Sequence, residues 1–82
     1  MANDTFHLVV ASVGETFFDG AATSTTLPTT AGEITVLPHH EPLVTTLREG
    51  TITVRTTAEP DKEFPVTSGV LEMSGNRAVI LL

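Results

Sequence analysis

The sequence predicts an all-β domain, and both its composition and its patterning support that class. The 15 Thr, 9 Val and 3 Ile make 27 of its 82 residues β-branched. Such side chains lose rotamer freedom in helices but pack well on a pleated sheet. No window of twelve or more residues repeats apolar side chains at helical spacing, whereas short apolar segments bounded by Gly and Pro recur along the chain. We therefore expect many strands and almost no helix.

The first half of the chain contains four strand segments. The first has apolar side chains on both faces, which predicts a central strand. The second is short and lies between two Gly-containing turns. The third is rich in Thr and Ser and ends at a proline, and the fourth follows a loop of Thr, Ala and Gly. The four segments are residues 5–13, 16–18, 21–27 and 33–37.

The second half contains five more strand segments. The loop before the first of them is bracketed by Pro38 and Pro42, and we expect it to be rigid because each proline fixes φ. The sequence at 48–50 is typical of a hairpin turn, and Ser68-Gly69 indicates a bulge or bend. The last two segments are expected to pair across the turn at 74–76. The five segments are residues 43–47, 51–56, 63–67, 70–73 and 77–82.

Eight to ten short strands at this spacing predict one antiparallel β-sandwich or flattened barrel over residues 1–82. Ten acidic against four basic residues give a net charge of -6, which argues against nucleic acid as a partner. The chain has no cysteine, so disulfides and Cys-based zinc sites are excluded. Its longest purely apolar run is the last five residues, and its N-terminus lacks a basic region. We therefore expect no membrane span and no secretory signal.

One polar cluster stands out in a sequence without motifs for phosphate-binding loops, zinc proteases or serine hydrolases. It consists of His39, His40 and Glu41, with Glu33 nearby in the sequence. Imidazole and carboxylate groups suit zinc or iron, but adjacent histidines on an extended chain point to opposite faces. We expect no catalytic residue, no metal and no cofactor, and a small metal-dependent enzyme using this cluster remains an alternative.

The segment from Gly32 to Thr45 carries a family resemblance. It reads Gly-Glu-Ile-Thr-Val-Leu-Pro-His-His-Glu-Pro-Leu-Val-Thr, and Gly50-Thr-Ile follows shortly after it. This resembles the signature of the ε subunit of F-type ATP synthases, which is the δ subunit in mitochondria: Gly-Glu, then Pro-x-His-x-Pro-Leu-(Leu/Val)-Thr, then Gly-x-Ile. Four further landmarks follow the order of that family, so the resemblance covers nearly the whole chain. They lie at residues 6–10, 17–20, 68–73 and 76–81.

The resemblance implies a fold and a role. The N-terminal domain of that family is a flattened β-sandwich of about ten strands, which docks on the γ subunit and touches the polar loops of the c-ring. The implied protein is a non-catalytic central-stalk subunit of a proton-driven rotary ATP synthase, and it couples the c-ring to γ during ATP synthesis. It is expected to be peripheral, on the cytoplasmic face of the inner membrane. A small β-sandwich binding module with an unrelated protein partner is the alternative.

The resemblance also assigns residues to the c-ring contact. They are Ala31, Gly32 and Glu33 in one loop, with His40 and Thr45 in matching positions of the next segment. The c-ring loops of this family carry basic and amide groups, so a charge-assisted bond from the Glu33 carboxylate is expected. The γ contact is expected on an apolar side of the sandwich, and the resemblance assigns it to no particular strand.

The sequence departs from the family pattern in three backbone positions and in length. Thr35, His39 and Ser68 stand where the family often has Gly, so we expect local differences in loop geometry. Members of the family usually continue into a C-terminal helical hairpin, whereas the sequence here ends at Leu82. The regulatory and ATP-binding functions of that hairpin are therefore not assigned to these residues.

Overall fold

The computed structural model describes residues 4–82, and within them all regular structure is β-strand. Nine strands occur, which confirms the all-β prediction of about ten short strands. The N-terminal residues 1–3, which entered the expectation of no secretory signal, lie outside the described part. The strands are β1 (Phe6–Ser12), β2 (Glu15–Ala22), β3 (Ser24–Thr29), β4 (Gly32–Val36), β5 (Leu43–Leu47), β6 (Gly50–Arg55), β7 (Lys62–Val66), β8 (Gly69–Ser74) and β9 (Arg77–Leu81).

The nine strands form one curled sheet. Its order is β2-β1-β9-β8-β5-β3-β6-β7, and β4 is attached to the side of β3. Seven of the eight strand pairs are antiparallel, as expected, and β1 pairs with β9 in parallel. That parallel pair was not anticipated, because sequence patterns show which segments are strands but not which strands are neighbours.

The concave side of the sheet encloses the hydrophobic core. Alternate residues of each strand point inward, so β1 contributes Phe6, Leu8 and Val10, all at most 1% exposed. Burying one such side chain away from water contributes about 1.5–3 kcal/mol to the free energy of folding. The other buried apolar side chains are Ala22, Leu27, Val36, Leu47, Ile52, Val54, Val66, Leu71, Met73, Ala78 and Ile80.

A β-bulge in β2 directs a side chain toward the other end of the curled sheet. Val10 pairs with Phe18 and Ala11 pairs with Thr16, so Phe17 has no opposite residue. A bulge bends its strand and re-aims the extra side chain. Here the Phe17 ring meets Phe64 of β7 with ring centroids 6.1 Å apart and the planes tilted by 47°. The two end strands of the sheet are thereby held together by an aromatic contact.

The hairpin predicted at 48–50 is wrong. β5 pairs with β8 and, at one residue, with β3, whereas β6 pairs with β3 and β7. β4 occupies one edge of β3, so β5 and β6 lie one after the other along its opposite edge. Pro28 of β3 accepts a hydrogen bond from the Arg48 amide at 3.1 Å, where the chain leaves β5. Both strands are antiparallel to β3, so they run in the same direction, and the residues at 48–50 offset the chain without reversing it.

The hairpin predicted at 74–76 is confirmed. Ser74 pairs with Arg77, and the two residues between them, Gly75 and Asn76, have φ values of 59° and 60°. Positive φ at both central residues is the type I′ geometry, which Asn and Gly favour. The Asn76 side chain also connects three segments. Its Nδ2 donates to the Thr5 carbonyl at 2.9 Å, and its Oδ1 accepts from the backbone amide of His39 at 2.7 Å.

We predict that Gly69→Ala destabilises the fold whereas Gly20→Ala does not. A Cβ at Gly69 would overlap the backbone oxygen of Leu81, and backbone must move to make room. The expected loss is about 1–3 kcal/mol in urea unfolding. At Gly20 the nearest atom to a new Cβ is 3.8 Å away, so that change is expected to be neutral or to stabilise by up to about 1 kcal/mol. Equal stabilities of the two variants would contradict the close approach at Gly69.

Candidate interaction surfaces

The turn between β3 and β4 presents the first group of residues assigned to the c-ring contact. Thr29 shapes it, since its hydroxyl donates to the Gly32 carbonyl at 2.5 Å and accepts from the Ala31 amide at 3.1 Å. Ala31 and Glu33 are exposed and Gly32 is half-buried. The structure therefore brings Ala31, Gly32 and Glu33 together on one tight turn, with the Glu33 carboxylate free to meet a partner.

Thr46 of β5, which the sequence did not indicate as a contact residue, holds this turn in place. Thr30 donates its amide to the Thr46 carbonyl at 3.0 Å, and the hydroxyls of the two residues are 2.9 Å apart. Thr45 is half-buried and shares its side of β5 with Leu47, which is in the core. Thr46 thus lies beside the turn on the outer side of β5, whereas Thr45 points the other way. Alternation along β5 is the signal that distinguishes them.

His40 lies apart from the turn. Its amide donates to Leu37 at 3.3 Å, and the neighbouring His39 amide bonds to Asn76 in the β8–β9 turn. The loop at 37–42 is therefore at the other end of β4 from Glu33. Four residue steps of β4 separate these ends, roughly 13 Å of extended chain. The structure groups the Ala31–Glu33 turn with Thr46 and leaves His40 outside that group.

The histidine cluster does not assemble into a metal-binding group. Among residues 4–82, no three His, Asp or Glu side chains lie close enough together to hold an ion. The Nδ1 atom of His40 is 2.8 Å from the carbonyl oxygen of Glu41. The alternative of a metal-dependent enzyme that uses His39, His40 and Glu41, all of them exposed, thus gains no support from the described part of the chain.

A second surface is apolar and lies on the outer side of β5, β8 and β9. Val70 is cross-strand neighbour to both Thr46 and Leu81, and Val44 and Val79 flank Glu72 in the next row. Val44 is 70% exposed, Leu81 55% and Val70 40%. Paired residues share one face of a sheet, so these apolar side chains lie on one face, with the exposed Glu72 between Val44 and Val79. We name Val44, Val70, Val79 and Leu81 the outer apolar patch.

In residues 4–82 there is no helix that is both long enough and apolar enough to cross a bilayer.

These observations define a small all-β domain that exposes a polar turn and, beside it, an outer face with four apolar side chains. The chain belongs to the family described as ATP synthase, Delta/Epsilon chain, beta-sandwich domain, whose model matches residues 5–82.

Relatives and solved structures agree with this membership. The chain is 35% identical over 77 residues to an ATP synthase epsilon chain of Bordetella parapertussis, covering 94% of this chain and 55% of the relative. It is 37% identical over 79 residues to that of Polaromonas naphthalenivorans, covering 95% and 56% respectively. The chain therefore spans about half the length of the curated relatives that it matches.

Two solved assemblies contain chains with the same fold. One is the Euglena gracilis mitochondrial ATP synthase, OSCP/F1/c-ring, in which a chain matches with a TM-score of 0.87 at 20% identity, covering 94% of this chain and 49% of that one. The other is the central stalk/c-ring of the Tetrahymena thermophila mitochondrial ATP synthase, with a TM-score of 0.80 at 17% identity, covering 99% and 65%. At these identities the likeness establishes the β-sandwich fold.

We predict that His39→Gly stabilises the domain whereas His40→Gly destabilises it. His39 has φ of 64°, in the left-handed region that costs a non-Gly residue about 1–2 kcal/mol. Glycine removes that strain but gains about 0.5–1 kcal/mol of entropy in the unfolded chain, so a net gain of up to about 1 kcal/mol is expected. His40 has no positive φ, so His40→Gly relieves no strain and only increases the entropy of the unfolded chain, which lowers stability. Urea unfolding measures both, and equal losses in the two variants would contradict a strained His39.

Proposed function

We propose that this chain is the β-sandwich domain of a non-catalytic central-stalk subunit in a proton-driven rotary ATP synthase. In this role it couples rotation of the c-ring to the γ subunit during ATP synthesis. The observation that carries the proposal is the family match over residues 5–82, supported by relatives named ATP synthase epsilon chain. A coupling element needs a rigid body with two adhesive surfaces, and the curled sheet offers both.

The c-ring contact that we propose is centred on Glu33. The carboxylate is exposed at the end of a turn that two bonds between Thr30 and Thr46 hold in place. An anion held in this way suits the basic and amide groups that the family resemblance implies for the c-ring loops, because charge-assisted bonds are stronger than neutral ones. Ala31 and Gly32 lie in the same contact. For His40 and Thr45, whose positions lie away from the turn, we propose only a supporting role.

The γ contact that we propose is the outer apolar patch. It places three valines and a leucine together on one side of the sheet, and large exposed apolar patches commonly mark protein interfaces. Its Val70 pairs with Thr46, which bonds to Thr30 of the β3–β4 turn, so the two proposed contacts lie side by side. In the complex, the subunit would be peripheral to the membrane, on its cytoplasmic face.

We predict that Glu33→Lys weakens c-ring engagement by about tenfold or more, because it places a cation against basic groups. Complexes reconstituted into vesicles are expected to lose a matching share of ATP-driven proton pumping. Glu63→Lys is the matched control, since Glu63 is also exposed on an edge strand but lies in β7. Equal pumping by the Glu33→Lys and Glu63→Lys complexes would contradict the assigned contact.

We predict that Val44→Glu lowers affinity for γ by about tenfold or more, since it buries a charge against an apolar partner surface. Val13→Glu serves as the control, because Val13 is fully exposed in the β1–β2 turn and lies outside the patch. Val44 pairs with Glu72, so like-charge repulsion should lower the stability of Val44→Glu by up to about 1 kcal/mol, which leaves it folded for the binding assay, whereas Val13→Glu should match the parent. Binding is measured by titration with purified γ. If Val44→Glu binds γ as tightly as the control, γ docks elsewhere.

A further inference from the structure

Strand β7 is hydrogen-bonded on one side only. It is an end strand of the sheet, and within residues 4–82 its one partner strand is β6. The Arg55 carbonyl accepts from the Thr23 amide at 2.8 Å, so Arg55 and every second residue before it direct their backbone groups toward β3. Gly50, Ile52 and Val54 therefore direct theirs toward β7. Their partners in β7 are, in that order, Val66, Phe64 and Lys62.

The side of β7 that faces away from β6 is loosely packed. Pro65 lies between the residues that bond to β6, and it has no N–H to offer another strand. Across the gap to β2, the rings of Phe17 and Phe64 meet at 6.1 Å between centroids. An open recess of about 110 Å³ remains beside this ring pair, so the rings forgo dispersion contacts there. It is lined by Phe17, Phe64, Pro65 and Leu82.

Both ends of β7 continue into weakly fixed segments. Before it, residues 56–61 form an irregular loop, and the ion pairs at this end have side chains at least 40% exposed, which contribute little. These pairs are Arg55 with Asp61 and Lys62 with Glu59. After β7, Thr67 and Ser68 are exposed, and close packing resumes only where Gly69 lies against Leu81.

Strand β6 is fixed more firmly than β7. It pairs with β3 on its other side, and its Ile52 and Val54 side chains are completely buried. β7 contributes to the core only Val66, which is 3% exposed, and Phe64, which is half-buried. Detaching β7 alone therefore breaks one ladder and exposes less apolar surface than detaching β6 and β7 together.

We propose that β7 is a strap: residues 62–66 detach from β6 as one unit while the other eight strands stay folded, and the contact between Phe17 and Phe64 is the latch that holds them. The segments at 56–61 and 67–68 are its hinges. In the open minor state, Phe64 and Val66 reach solvent and the edge of β6 is unpaired. This inference is independent of the proposed function, because it concerns only how the curled sheet is closed.

Amide hydrogen exchange in the unmodified chain tests the strap. The amides of Phe64 and Val66 bond to β6, whereas Leu71 lies in β8, which has a partner strand on each side. Corrected for intrinsic rates, exchange at 64 and 66 should be at least about tenfold faster than at 71, and the two should agree within about threefold because they open together. Protection equal to that of Leu71 would overturn the proposal. Widely different rates at 64 and 66 would also overturn it, since they indicate fraying.

Low concentrations of urea distinguish local opening from global unfolding. The response of exchange to urea grows with the surface that the opening exposes. Exchange at Phe64 should therefore rise only slightly with urea, whereas exchange at Leu71 should rise steeply. Parallel responses would mean that β7 opens only when the whole domain unfolds, and the strap would be overturned.

A buried thiol provides a second readout. The chain has no cysteine, so Val66→Cys introduces a single thiol into β7. Val54→Cys is the matched control, because Val54 is also a buried valine but lies in β6. Under native conditions, a soluble thiol reagent should label Val66→Cys at least about tenfold faster than Val54→Cys, since a buried thiol reacts only after it is exposed. Equal labelling rates would overturn the proposal.

A further pair of variants tests the latch. Phe17→Ala removes the ring contact and should lower protection of the Phe64 and Val66 amides by about three- to tenfold. Val13→Ala is the control, because Val13 is fully exposed in the same hairpin, and it should leave that protection unchanged. Unchanged protection in Phe17→Ala would overturn the role of Phe17 as the latch. If Phe17→Ala does not fold, exchange and its urea response in the unmodified chain decide whether β7 is a strap.

Discussion

The parallel pairing of β1 with β9 is the constraint on which the rest of the structure depends. It joins His7 to Arg77 and Ala11 to Leu81, residues that lie 70 positions apart in the chain. Closing so long a loop costs conformational entropy. Burial offsets that cost, because Val10 and Ile80, which pair, are both completely buried. Without this pair, the β1–β2 hairpin would separate from the other seven strands, and Phe17 could not reach Phe64.

The candidate site was predictable where neighbours in sequence are also neighbours in space. Ala31 lies in the β3–β4 turn and Gly32 and Glu33 begin β4, so the three are neighbours in space because they are contiguous in sequence. Thr45 could not be placed from the sequence alone, because a contact residue on a strand is decided by which face is buried, and Thr46 has the same residue type. His40 was separated from the turn by the intervening length of β4, which a linear motif does not convey. The sequence thus located the turn but not the neighbours that support it.

The fold was predictable at the level of single strands and of one hairpin. Local chemistry specifies the β8–β9 turn completely, since Gly75 and Asn76 tolerate the positive φ that type I′ requires. The connection between β5 and β6 has an equally clear turn signal, yet these strands run in the same direction along one edge of β3. Strand partners are chosen by burial across the whole sheet, which no local segment contains. The strain at His39 was likewise expected only as a difference in loop geometry; its φ is 64°, and its amide bonds to Asn76, 37 residues further along the chain.

Because β1 and β9 are neighbours in the sheet, the core of the domain can be completed only after β9 has been synthesised. A ribosome makes each residue of β1 about 70 residues before its partner in β9. At about 5–20 residues per second, roughly 4–14 s pass between the two. During this interval Leu8 and Val10 have no parallel partner to cover them, so the nascent chain presents an incomplete apolar surface. The core is complete only once β9 has been translated and has paired with β1. Until then, chaperones that bind apolar nascent segments can bind β1.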